Sequence, residues 1–308
     1  MLGRTAVAAR EFSTSSAVFK QIKNVTIIGS GLMGSGIAQV SAQARLNVVL
    51  VDQSKEVLDK AFKSIDTSVR RVAKKKFADD TAKQATLVEE TLKGLSVTTN
   101  VEEAVANADL VIEAIVENIE AKRKLFAQVE NVVKESTFLA TNTSSLKLVD
   151  IAANLKHKER FGGLHFFNPV PVMKLLEVVR FNGTSDETFN SLIEYGKSIG
   201  KTTVSCKDTP GFIVNRLLVP YMFEALRMAE RGDASFKDID TAMKLGAGYP
   251  MGPFELSDYV GLDTCKFIMD GWVKEYPNEP IFASSPKLDK LVSEGKLGRK
   301  SGEGFYKY

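Results

Sequence analysis

The sequence predicts an α/β fold in two parts: a Rossmann-type, mostly parallel sheet, then a second, all-helical C-terminal domain. Three observations predict it. The first is Val25-Thr-Ile-Ile-Gly-Ser-Gly-Leu-Met-Gly34, an apolar run entering a Gly-x-Gly-x-x-Gly turn. Such a run reads as a buried parallel strand. In the turn, Gly29 allows the sharp bend, Gly31 the close approach of backbone to a pyrophosphate, and Gly34 the packing of helix on strand. Leu32 and Met33 lie within this turn, and the helix that follows, 35–44, aims its unpaired N–H groups and positive dipole end at the phosphates. A second strand, 47–51, ends at Asp52, eighteen residues beyond Gly34. An acid there accepts hydrogen bonds from the adenosine ribose and repels a 2′-phosphate, which favours NAD over NADP.

The second observation is alternation. Strand-like segments recur at 96–99, 109–116, 137–141, 160–166, 175–181 and 202–206, with helical stretches at 101–106, 120–134 and 147–155. That order builds βαβ units. A helical insertion near 54–93 follows the second strand. Its first helix is N-capped by Ser54 and carries Leu58, Ala61, Phe62, Ile65, Val69 and Val72 on one stripe. The third observation is a change of pattern. From Pro210 the chain shows only helical periodicity, at 212–231, 236–245 and 261–276. A boundary at 207/208 divides a dinucleotide-binding domain, 19–207, from a helical substrate and dimerisation domain, 208–308.

At 308 residues the chain can hold two domains with cores of their own. The net charge of +3 gives no reason to expect a nucleic-acid partner, and no run of about eighteen apolar residues announces a membrane span. Two isolated cysteines make neither a disulfide framework nor a zinc site, so no metal is expected. Residues 1–18 differ from the rest. Arg4 and Arg10 stand against Glu11, with alanines and Ser13-Thr-Ser-Ser16. A basic, hydroxyl-rich, acid-poor leader has the character of a mitochondrial transit peptide.

Two histidines are candidates for proton transfer. His157 lies in a charged stretch, Lys156-His-Lys-Glu159, and reads as surface. His165 ends an apolar strand before Phe166-Phe-Asn-Pro-Val-Pro171, and ligands of open α/β sheets gather at the carboxyl ends of strands. A histidine there can take a hydroxyl proton while a hydride leaves the same carbon. Glu177 sits in Leu175-Leu-Glu-Val-Val179, where packing would not choose a carboxylate. A Pro-punctuated turn lets neighbouring strands set the pair side by side, so the carboxylate can fix the imidazole tautomer. A salt bridge from Glu177 to Lys174 or Arg180 is the other reading. Thr141-Asn-Thr-Ser-Ser145 could hold a substrate carbonyl or cap a helix. Asn168 and Asn215 divide in the same way between ligand groups and turn or helix-start residues. Ser68, Arg71 and Lys75 share a helix face that could grip a polyanion or remain solvated.

Together these residues resemble the L-3-hydroxyacyl-CoA dehydrogenase family of fatty-acid β-oxidation, across nearly the whole chain after the leader. The similar blocks are Gly29–Gly34, Glu113-Ala-Ile-Val-Glu-Asn118, Thr141–Ser145, His165-Phe-Phe-Asn-Pro-Val-Pro-Val-Met-Lys-Leu175, Asp208-Thr-Pro-Gly-Phe-Ile-Val-Asn-Arg216, Gly248-Tyr-Pro-Met-Gly-Pro-Phe-Glu-Leu256 and Gly302-Glu-Gly-Phe-Tyr306. The resemblance implies His165 as base with Glu177 as partner, and Ser144, Asn168 and Asn215 around the substrate carbonyl and hydroxyl. It implies Glu117, Lys122, Ser144 and Lys300 beside NAD, with Ser68 and Lys75 on coenzyme A. It also implies an acyl-CoA substrate entering between the domains and a homodimer through the C-terminal helices; the match lapses at the leader, so the expected mitochondrial-matrix location rests on the leader's composition. A related NAD-dependent dehydrogenase of a hydroxy or sugar acid without coenzyme A is the alternative.

Overall fold

A computed structural model describes residues 19–308. The expected transit peptide, 1–18, lies outside the described residues. The first compact unit holds residues 19–142 and 152–204. Its chain runs β1 (Asn24–Ile28), α1 (Leu32–Gln43), β2 (Asn47–Val51), α2 (Lys55–Lys76), α3 (Thr81–Lys93), β3 (Leu95–Thr98), α4 (Val101–Val105), β4 (Leu110–Glu113), α5 (Ile119–Glu130) and β5 (Phe138–Thr141). After an excursion come β6 (Phe161–Phe166), β7 (Leu175–Arg180), a helix, Asp186–Ser198, and a last strand, Thr202–Lys207.

These strands form one eight-stranded sheet in the order β3-β2-β1-β4-β5-β6-β7 and then the last strand. Pairing from β3 through β6 is parallel; β6 and β7 are antiparallel. The central strands β4 and β5 are buried at every position, as expected when helices cover both faces. The insertion is α2 and α3. Ser54 caps α2 through Val57 N–H, and Leu58, Ala61, Ile65, Val69 and Ala73 form its buried stripe. Two expectations shift. The helix expected at 147–155 contracts to Leu148–Ile151 (α6) and a 3-10 turn, Ala152–Asn154, while the helix Asp186–Ser198 (α7) was not anticipated. The strand Thr202–Lys207 is β8.

The second unit holds Thr143–Ile151 together with Ser205–Tyr308. Its helices are α6, α8 (Val214–Glu230), α9 (Phe236–Gly246), α10 (Pro253–Val260), α11 (Leu262–Glu275) and α12 (Pro286–Ser293). Phe236, Phe254 and Phe305 pack edge-on or tilted, with centroids 4.5–5.1 Å apart. Two buried carboxylates hold the C-terminal tail: Asp258 accepts from the N–H groups of Phe305 and Tyr306, each at 2.9 Å, and Asp240 from the Tyr306 hydroxyl at 2.8 Å. No helix among the described residues is long and apolar enough to cross a membrane.

Candidate active site

The glycine turn is built by close contacts. Gly29 has φ +104°, and a Cβ there would lie 2.4 Å from the Ala114 carbonyl oxygen. A Cβ on Gly34 would lie 1.7 Å from the Gly29 oxygen. Gly31 differs, since a Cβ there meets nothing within 4 Å. The protein itself therefore supplies no steric reason for that glycine, whereas a phosphate against the backbone would. Gly31 is also the N-cap of α1 and gives it no side-chain cap, leaving the first-turn N–H groups to an anion. Leu32 is 81% exposed, and Met33 packs partly into the core. A variant pair separates the two roles. Gly34→Ala should destabilise the fold, because backbone must move; Gly31→Ala should leave the melting temperature near wild type and weaken NADH binding, as fluorescence titration can measure.

Asp52 ends β2 beside this turn. Its carboxylate accepts from the Ser30 N–H and hydroxyl and from the Gln53 N–H, each at 2.7 Å. Burial alone would raise its pKa, but the Ser30 and Gln53 donors outweigh burial and hold the carboxyl below the usual range. Asp52 thus stays an ionised acceptor. A groove of about 600 Å³ lined by Gly29, Gly31, Asp52, Val101, Ala114 and Leu125 runs alongside.

At the end of β4, Glu113 is fully buried. It accepts from the Ile115 N–H at 2.7 Å, the Lys122 ammonium at 2.6 Å and the Thr141 hydroxyl at 2.7 Å. Lys122 is 1% exposed and lies 3.1 Å from Glu117, whose side chain is 32% exposed. Lys122 and Glu117 are thus brought together, with Glu117 the more accessible of the two. Lys300 belongs to the second unit, where it donates to both oxygens of Asp263 at 2.5 and 2.7 Å.

The antiparallel register sets His165 opposite Glu177, and His165 Nδ1 lies 2.7 Å from Glu177 Oε2. The imidazole is 4% exposed and the carboxylate fully buried. The loop after β6 carries Asn168, and a second groove, about 360 Å³, is lined by Ser30, Gly31, Ser64, Ser68, Asn168 and Pro171. Ser68 and Asn168 therefore face one space. Lys75 lies on the last turn of α2, exposed, and is not among the residues lining that groove.

In the second unit, the Asn215 amide donates to the Ser144 carbonyl at 3.5 Å. The Ser144 segment is fastened to this unit by Asp208, which accepts from the N–H groups of Leu148 and Val149 at 2.9 and 3.0 Å. An ion pair from Lys147 to Glu275 adds a second tie. The segment follows a sheet strand in sequence, yet Leu148 and Val149 bond to Asp208 of the helical unit.

Two family models together account for almost all of residues 24–308. Residues 24–209 match the 3-hydroxyacyl-CoA dehydrogenase NAD-binding domain, and residues 211–308 the C-terminal domain of the same enzymes. The chain belongs to the 3-hydroxyacyl-CoA dehydrogenase family. Among its relatives is a probable 3-hydroxyacyl-CoA dehydrogenase of Caenorhabditis elegans, 68% identical over the full length of both chains. The mitochondrial hydroxyacyl-coenzyme A dehydrogenase of Homo sapiens is 57% identical over 96% of this chain and 95% of its own. The crystal structure of (S)-3-hydroxybutyryl-CoA dehydrogenase from Ralstonia eutropha superposes with a TM-score of 0.88 at 38% identity, covering 94% of this chain and 99% of that one. As a 3-hydroxyacyl-CoA dehydrogenase, the chain uses NAD, which the open space over Gly31 and the ionised Asp52 fit. Sequence reasoning missed Ser30, which orients Asp52, and gave no role to Glu113. The signal for Glu113 was present: like Glu177, it is a carboxylate in an apolar strand.

Proposed function

We propose that, in the NAD-dependent oxidation of L-3-hydroxyacyl-CoA to 3-ketoacyl-CoA catalysed by this family, His165 is the general base and Glu177 its partner. The observation that carries this reading is the buried 2.7 Å contact between them, at the end of the strand that precedes the Asn168 loop. With Nδ1 engaged by the carboxylate, Nε2 is the nitrogen that takes the C3 hydroxyl proton. Glu177 steadies the imidazolium that forms, so the proton moves to a site already paired with a negative charge. NAD, when bound, supplies the hydride acceptor. Gly29, Gly31, Leu32, Met33 and Gly34 hold its pyrophosphate, Asp52 its adenosine ribose, and Glu117, oriented by Lys122, its nicotinamide half. Lys300 is assigned to that half as well, which requires it to leave or share Asp263.

Ser144, Asn168 and Asn215 orient the substrate oxygen atoms, and Ser68 and Lys75 take coenzyme A. Ser68 and Asn168 on one groove support a path for the acyl-CoA along α2. We assign residues 19–207 to cofactor binding and 208–308 to substrate binding and dimerisation. Leu217, Leu245, Tyr259 and Phe267 on the helical unit are each more than half exposed, which supports pairing of two copies there. A basic leader and relatives named as mitochondrial support a mitochondrial location, and we place the enzyme in the matrix. The test is NADH oxidation in the presence of acetoacetyl-CoA, set beside free acetoacetate. Turnover confined to the thioester is expected; equal turnover of the free acid overturns the coenzyme A reading.

A further inference from the structure

We propose that Lys201 is a positioning residue that holds the β6–β7 loop, and with it Asn168, in its substrate-binding position. Helix α7 ends in a Schellman arrangement, with the Gly200 N–H donating to Lys197 O and the Lys201 N–H to Gly196 O, each at 3.0 Å. This stop turns the Lys201 side chain back under the loop that joins the two members of the dyad. Its ammonium donates to the Val170 carbonyl at 2.5 Å and the Met173 carbonyl at 2.7 Å.

A lysine 8% exposed that binds two carbonyls and no carboxylate gains little for the fold as a whole. Burial, with Lys174 alongside, lowers its ammonium to about 8, which records the cost of keeping it there. What it secures is local. The N–H groups of Val172 and Met173 donate to Pro169 O, closing the loop into a turn whose Val170 and Met173 carbonyls bind Lys201. The Thr202 N–H donates to Lys174 O at 2.8 Å and fastens the end of the loop. On the opposite side Val170 lies hard against α1, since a Cβ on Gly36 would come within 2.7 Å of Val170 Cβ. Val170 is thus held between α1 and Lys201, two residues from Asn168. Without the ammonium, the Val170 and Met173 carbonyls lose their donors, and the loop must open to water.

The inference rests on Asn168 contacting the acyl-CoA. Its test is Lys201→Met, which keeps the length of the side chain and removes its donors, measured against wild type with NADH and acetoacetyl-CoA. The expected result is a rise of at least ~tenfold in KM for acetoacetyl-CoA. The KM for NADH should change less than about twofold, since Lys201 bonds to no residue of the glycine turn and Val170 meets α1 at Gly36, past its first turn. Hydrogen exchange at the Val172 and Met173 amides should accelerate. Lys201→Arg, which retains a charged donor, should recover part of the lost affinity. NADH titration of each variant reports whether the cofactor domain has folded. Unchanged acetoacetyl-CoA kinetics, or equal losses for both substrates in a variant that still binds NADH, overturns the proposal. Faster exchange with unaltered kinetics retains the latch but rejects its role in substrate binding, and so overturns it too. Failure of the wild-type enzyme to use acetoacetyl-CoA instead refutes the functional reading and is seen before any variant is made.

Discussion

His165→Ala should lower turnover by at least ~10²–10⁴-fold, the usual contribution of a positioned acid or base, with NADH affinity close to wild type. The separation of the two effects follows from the geometry. His165 bonds to Glu177 on a neighbouring strand, whereas the glycine turn and Asp52 bind to one another through Ser30. Alanine also strips a fully buried carboxylate of this partner, so part of any loss could come through the fold. His165→Asn answers that, because its amide nitrogen stands where Nδ1 does and can donate to Glu177, but it cannot take the hydroxyl proton at neutral pH. Both variants should therefore be slow, with the asparagine protein the more stable in thermal unfolding. An asparagine variant retaining wild-type turnover would remove His165 from the chemistry, whatever the alanine variant does. Stopped-flow measurement of the hydride step and NADH fluorescence titration check the two halves independently.

The sheet was legible because its central strands declare themselves locally: β1, β2, β4 and β5 are short, largely apolar runs followed by a break, and Gly29–Gly34 announces the first crossover. The dyad was legible for a related reason, since a histidine and a glutamate in apolar strands have no packing motive. What stayed hidden depends on partners distant in sequence. Lys122 reads as an ordinary charged residue on a polar helix, and only the fold brings it against Glu113 and lets Thr141 complete that carboxylate. Residues 147–155 carry a helical pattern, yet Asp208, sixty residues away, captures the N–H groups at the start of α6, and the helix proper ends at Ile151. Helix α7 has a Ser185 cap and an amphipathic face but contains Gly196, which makes its propensity weak. Its packing on the sheet compensates: a Cβ on Gly196 would lie 2.5 Å from Thr203 and 2.7 Å from Leu176, so the helix sits closer than any other residue would permit. Tertiary contact decides that element, and local pattern does not.

Lys122→Met should be strongly destabilising although it adds no bulk near the cofactor site. The ammonium lies 2.6 Å from Glu113 and 3.1 Å from Glu117, and Glu113 has no exposure to water. Methionine fills much the same volume, so the loss is electrostatic: one fully buried carboxylate is left without its cation. Breaking a buried pair by removing one member costs about 3–5 kcal/mol. The pair as a whole need not stabilise the fold, because desolvation offsets much of its attraction, and this distinction is what a second change tests. In Glu113→Gln the side-chain oxygen can still accept from the Ile115 N–H and the amide can donate to the Thr141 hydroxyl, reversing that bond, so the charge disappears while both partners are kept. The double variant Lys122→Met with Glu113→Gln should therefore be more stable than Lys122→Met alone, a coupling visible in urea unfolding of the four proteins of the cycle. If Lys122→Met unfolds within about 1 kcal/mol of wild type, Lys122 is not what compensates the burial of Glu113. Should the single variant fold and still bind NADH as wild type does, Lys122 has no part in presenting Glu117 to the nicotinamide, and its burial serves the β4–α5 junction alone.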